Sequence, residues 1–243
     1  MILYVNGDSH TAAAEAVNPH AWAMDDGELY HLGQQPHPDN LSVSWGCCLA
    51  ERLHAEHYCD AQAGGSNARI MRTTRQWINN NYDRLDRTLM VIQWSTWERE
   101  EWQWQGLWWQ VNASGIDHVP ADLVPRYKEY VMNVNWAEAQ NQAHHEIWNF
   151  HQELSRKNIK HVFFNGNSDF ESQPNRYDWG DCYIGAYDPE QTYNKVLRNN
   201  GFKTVNPQSW HFGPDGHSFW SEHVLQYLRD HNFLNLQNAL FAN

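Results

Sequence analysis

The sequence predicts an α/β fold built on a parallel sheet covered by helices on both faces. Two observations lead there. Short apolar runs that read as buried strands, "ILYV" (2–5), "TLMVIQW" (88–94) and "HVFFNG" (161–166), recur along the chain. Stretches with helical spacing alternate with them, and such alternation makes βαβ units with right-handed crossovers.

The elements follow in order. The first strand ends at Gly7, and "TAAAEA" (11–16) behind it reads as a helix. Residues 18–40 mix Asn, Pro, Gly, His and Asp without a period and read as a long loop. In 41–57, Val43, Cys47, Leu49, Ala50 and Leu53 fall near helical spacing. "HYCDAQAGG" supplies a strand and turn, and 66–82 a helix capped by Ser66 or Asn67. After the strand at 88–94, helices are expected within 121–158, a strand at 161–166, and helices at 189–201 and 214–232. No internal repeat, low-complexity tract or linker interrupts the chain. One domain spanning 1–243, with a Trp-rich and helical insertion around 94–136, is the simplest organisation.

Composition narrows the function. The 243 residues are 41% hydrophobic and can bury a sizeable core. Lys and Arg number 17 against 29 Asp and Glu, a net charge of −12, which disfavours nucleic acid as a partner and fits neutral or cationic ones. No apolar run approaches the roughly 18 residues of a membrane span, so no membrane partner is expected. The N-terminus lacks a basic region followed by an apolar stretch, so no signal peptide is expected, and residence is expected in the cytoplasm or a virion. Cys47, Cys48, Cys59 and Cys182 form no CxxC pair, so reduced thiols are expected and a zinc ribbon is not. The His144-His145 doublet lacks metal-site spacing and reads as a solvated helix face. No metal or cofactor is expected.

In open parallel sheets, ligands sit beyond the carboxyl ends of the strands. The informative segments are therefore "NGDS", "AGGSN", "QWSTWER" and "FNGNSD". Ser9 follows the first strand and precedes the expected helix. It could cap that helix, or act as a nucleophile, where a helix N-terminus and nearby N–H groups would stabilise an oxyanion. A nucleophilic serine also needs a base within hydrogen-bond reach.

"GDS", "AGGSN" and "HFGPDGH" occur in the order of the SGNH/GDSL hydrolases, which this sequence resembles along most of its length. "NGDSHT", "GGSNARIMRT" and "WSTWEREEW" look like a phage-associated branch of that family. The resemblance implies a three-layer α/β/α sandwich of flavodoxin-like kind, and a serine esterase acting on carboxylic, in particular acetyl, esters of small molecules or glycans. It implies Ser9 as nucleophile and Gly65, with Gly64 as the adjacent alternative, as a backbone oxyanion donor. Ser95 and Trp97 occupy the third block, where the family has Gly and Asn. Ser95, Thr96, Asn165 or Asn167 could supply the missing donor. His211 fits the base position best. It leaves Gln208 at the acid position, and Asp215 could serve instead; the Asp215–His217 pair is the competing register. Arg72 could meet an anionic substrate group, or make an ion pair. The tryptophans of 94–109 could pack in the core or wall the site as sugar-stacking faces. The reading from another class is a degenerate SGNH-fold module that binds carbohydrate or builds a phage structure. The sequence says nothing of oligomeric state.

Overall fold

The computed structural model describes residues 1–23, 35–113, 115–116 and 119–234. Its centre is a five-stranded sheet ordered β2-β1-β3-β6-β7. The strands are β1 (Ile2–Asn6), β2 (Glu56–Cys59), β3 (Thr88–Trp94), β6 (Lys160–Asn165) and β7 (Tyr183–Ile184). Every adjacent pair is parallel. All residues of β1 and β3 are buried, as central strands covered on both faces must be.

Side-chain alternation along these strands makes two separate cores. Ile2, Tyr4, Met90, Ile92, Trp94 and Phe163 face one cluster, filled by Ile70, Met71 and Trp77 of α3 (Asn67–Asn80) and Ile147, Phe150 and Leu154 of α5 (Trp136–Arg156). Leu3, Val5, Leu89, Val91, Val162 and Phe164 face the other. It is filled from α2 (Trp45–Leu53), α6 (Tyr193–Asn199) and α7 (Pro214–Asp230), with Trp45, Tyr193 and Trp220 the bulkiest members. The result is the expected three-layer α/β/α sandwich. A short helix, α1 (Pro38–Ser42), precedes α2.

The insertion differs from an all-helical reading. Its first part is an antiparallel hairpin, β4 (Glu100–Trp104) and β5 (Leu107–Val111), outside the main sheet. α4 (Val124–Asn133) follows, and Trp102, Val111, Leu123 and Tyr127 form a small core of its own. Gln105 and Gly106, both at positive φ, turn the hairpin.

The expected helix at 11–16 does not form. Ala13 and Glu15 take left-handed backbone angles, φ 53° and 64°, which break an α repeat. Side chains also capture the N–H groups flanking it: Asp8 Oδ1 accepts from His10 N, and Asn40 Oδ1 from Val17 N and Asn18 N. Local helix propensity loses to these side-chain partners, one local and one distant. Residues 24–34 of the loop expected at 18–40 lie outside the described residues. Among the described residues, no helix is long and apolar enough to cross a membrane. All four cysteines are free thiols.

His217 belongs to this framework. Its buried Nδ1 accepts the N–H of Trp45 at 3.2 Å, tying the start of α2 to α7. Burial pushes its pKa down to about 3, and those of His161 and His10 to about 4, from an ordinary 6.5. These rings stay neutral in the folded chain, whereas the unfolded chain takes up protons below about 6.5. Stability is therefore full above that pH and falls as pH drops from about 6.5 toward 4. Thermal melts should show Tm falling steadily between pH 7 and pH 5; a flat Tm over that interval would contradict the neutral buried histidines.

Candidate active site

The chain switches sides of the sheet between β1 and β3. The connection from β1 leads outward to β2, and the chain then crosses back to β3 on the other flank of β1. Such a point leaves a crevice at the carboxyl ends of the strands. Ser9 follows β1 there, and Ser95 and Arg99 follow β3.

The turn that presents Ser9 is fastened from below. Asn6 Nδ2 donates to Ile70 O of α3 at 3.1 Å, and its Oδ1 accepts the Gly7 N–H at 2.8 Å. A Cβ on Gly7 would lie 2.3 Å from Thr11 Oγ1 and 2.8 Å from Gln93 Oε1, so only glycine fits. Gln93, the penultimate residue of β3, accepts the Thr11 hydroxyl at 2.8 Å.

Asp8 is the hub. Its carboxylate is 1% exposed. Oδ2 accepts the Ser95 hydroxyl at 2.8 Å and Arg99 Nη1 at 2.9 Å, while Oδ1 accepts the His10 N–H at 3.0 Å. Burial works to raise the Asp8 pKa, but the Arg99 guanidinium and the hydrogen bonds from the His10 N–H and Gln93 outweigh it and hold the carboxyl ionised. Asn67, at the start of α3, fixes Ser95 in turn: its Oδ1 accepts the Ser95 N–H at 2.8 Å.

Above this hub lies a cavity of about 470 Å³, lined by Ser9, His10, Glu15, Arg99, Asn167 and His211, with the segment 206–210 at its rim. His211 arrives on the loop before α7, placed by its own N–H to Ser209 Oγ at 2.9 Å and by the Val205 N–H to its carbonyl at 2.9 Å. Its Nδ1 lies 2.7 Å from Glu15 Oε2. Burial tends to raise the Glu15 carboxyl, but hydrogen bonds from His211 and Ser209 hold it below the ordinary carboxylate range. Glu15 reaches His211 from the left-handed step that replaced the expected helix.

The structure thus brings Ser9 and His211 together and adds Glu15, His10 and Arg99, which the sequence reading did not assign. Glu15 carried no signal because it sits within an apparent helix, six residues from Ser9 and nearly 200 from His211. The other expected site residues fall elsewhere. Asp215 is exposed in the first turn of α7, outside the cavity lining. Gly65 donates its N–H to Gln62 O at 2.9 Å, so that group is already engaged. Arg72 makes a two-point ion pair with Glu101 and lies over the Trp108 ring. Trp97 stacks on Phe170, with ring centroids 4.5 Å apart. Asn165 is buried, and its Oδ1 accepts from the Tyr183 hydroxyl at 2.5 Å. Asn167 does line the cavity; its Oδ1 accepts from Asn194 Nδ2. The aromatic face at the rim belongs to Trp210, which is 55% exposed and lies beneath Arg198. His144 is buried and bonded to the Tyr187 hydroxyl at 2.9 Å, so it is not part of a solvated face.

The chain belongs to a family of unknown function, DUF6071, whose profile matches residues 37–163. No curated protein matches it. Among solved structures it is similar to TesA, at 12% identity and TM-score 0.49, over 95% of this chain and 99% of that one. It is also similar to an acetyl xylan esterase from the rumen bacterium Butyrivibrio proteoclasticus, at 13% identity and TM-score 0.48, over 96% of this chain and 64% of that one. A carbohydrate esterase whose active site displays divergent catalytic and non-catalytic binding functions gives 16% identity and TM-score 0.45, over 96% of this chain and 69% of that one.

Removing Arg99 would leave the buried Asp8 carboxylate without its cation. Arg99→Ala should cost about 3 kcal/mol, read as a lower urea midpoint with unchanged slope. An unchanged midpoint would show that the pair does not hold the turn.

Proposed function

We propose that this protein is a serine hydrolase of carboxylic esters, with Ser9 as nucleophile, His211 as base and Glu15 as the acid that orients it. The observation that carries this reading is the shared cavity: the serine at the β1 end opens onto the same space as a histidine whose far nitrogen is 2.7 Å from a carboxylate.

The chemistry follows from that arrangement. Ser9 Oγ attacks the acyl carbon while its proton passes to His211 Nε2. Glu15 holds Nδ1–H, fixing the tautomer and stabilising the imidazolium as it forms. The carbonyl electron pair moves onto oxygen, and the Arg99 guanidinium and Asn167 amide are the cavity-lining donors that can meet it. The oxyanion collapses and the alcohol leaves with the proton from His211. Water then attacks the acyl-serine, giving its proton to His211, and the carboxylic acid departs as Ser9 is reprotonated. His10 stays neutral beside His211, with ring centroids 5.6 Å apart, so no second positive charge opposes the imidazolium. The left-handed Glu15 supports the same reading, because strained backbone concentrates where function demands a fixed position.

We assign O-acetylated glycans as the substrate class. Trp210 offers an exposed aromatic face at the cavity rim, suited to stacking on a sugar ring. The many carboxylates of the chain suit a neutral or cationic polymer over an anionic one.

With p-nitrophenyl acetate, wild type should turn over and Ser9→Ala should not. Glu15→Gln should keep its fold and lose roughly 100- to 10,000-fold in kcat. Turnover by Ser9→Ala equal to wild type would remove the serine from the mechanism, and an undiminished Glu15→Gln would remove the acid.

A further inference from the structure

At the opposite end of β6, away from the cavity, three ligand-bearing side chains meet. His151 comes from α5, His161 is the second residue of β6, and Cys182 stands just before β7. Their ligand atoms all lie within 4.8 Å of one another. From these we propose a binding site for a thiophilic divalent cation of the zinc(II) kind, with His151 Nδ1, His161 Nε2 and Cys182 Sγ as ligands.

The His161 tautomer is already set for binding. His161 Nδ1 lies 2.8 Å from Ile159 O, so its N–H donates there and Nε2 carries the lone pair. A second-shell carbonyl on the far nitrogen is the usual way a metal-ligating imidazole is oriented. Without metal, His161 Nε2 accepts the His151 Nδ1–H at 2.9 Å; on binding, that proton shifts to His151 Nε2 and Nδ1 turns its lone pair to the ion. Burial lowers the pKa of both rings, so neither is protonated at neutral pH. Trp148 stacks on the His151 ring at 5.0 Å and Trp179 meets it edge-on at 5.7 Å, which fixes its orientation.

Tetrahedral zinc with Zn–N about 2.05 Å and Zn–S about 2.3 Å places two nitrogens about 3.3 Å apart and a nitrogen and sulfur about 3.6 Å apart. The two rings need to part by only a few tenths of an ångström. One histidine pair and one thiolate select a borderline-soft ion over magnesium or calcium. Burial raises the Cys182 thiol to about 11, so at neutral pH the sulfur is protonated without metal. Binding forms the Zn–S bond and releases that proton to solvent. The fourth position is left for water. The ion would clip the segment that carries β7 onto β6 and α5. The spacing 151, 161, 182 matches no short motif, so the sequence alone does not reveal it.

The test is a cobalt(II) titration of the full chain, followed by zinc. One equivalent of cobalt should give a thiolate-to-cobalt charge-transfer band that zinc abolishes, and zinc should raise Tm by several degrees. Cys182→Ser should lose the band, and His161→Gln should weaken binding by more than about tenfold. In wild type, zinc should protect Cys182 from alkylation by iodoacetamide, mapped by mass spectrometry, which needs no variant to fold. The proposal is overturned by the absence of a charge-transfer band, by a band that survives in folded Cys182→Ser, or by alkylation of Cys182 that zinc does not slow.

Discussion

One buried carboxylate organises the cavity end of this molecule. Asp8 sits where the chain leaves β1, and its two oxygens reach His10 on its own turn and Ser95 and Arg99 beyond β3. A buried charge without partners costs several kcal/mol, so these bonds are obligatory once the sheet forms. They fix the distance between the two strand ends on either side of the switch point. Ser9 is the residue next to that anchor and inherits its rigidity.

The rest of the cavity is assembled from distant chain on this base. The loop before α7 lowers His211 onto Glu15, and Glu15 is held in place by a left-handed backbone step. The other side of that turn is closed by Asn40, which accepts the Val17 and Asn18 N–H groups. Thus Ser9 and Glu15 come from the one turn behind β1 and His211 from a loop nearly 200 residues later, and hydrogen bonds hold each segment in place. Apolar packing contributes the platform: two cores on opposite faces of one sheet leave its carboxyl edge open.

The sheet was legible because β1, β3 and β6 are buried on both faces and so read as unbroken apolar runs. The helices α3 and α7 are legible from their apolar stripes, with a Ser66 cap opening α3 and Pro214 opening α7. That Ser9 and His211 would share a cavity could be read from their place at strand and helix ends and from the family resemblance. Glu15 could not, because its position depends on a backbone turn that its alanine neighbours disguise. His217 looked like a rival base from spacing, yet its ring is spent on the Trp45 N–H inside the core. The tryptophans misdirected as well. Trp94 and Trp97 pack inward, while the exposed ring beside the cavity, Trp210, lies more than 100 residues from that cluster. The hairpin β4–β5 is hard to read because its strands are only five residues long and the tryptophans on both, some on each face, blur the alternation.

The central claim is that Ser9 is an activated nucleophile in the setting made by His211 and Glu15. The most direct measurement is reaction with a fluorophosphonate probe followed by mass mapping of the adduct. A single adduct is expected on the peptide containing Ser9, formed by folded protein and lost after denaturation. No adduct on folded protein, or an adduct on another residue with Ser9 unmodified, would contradict it.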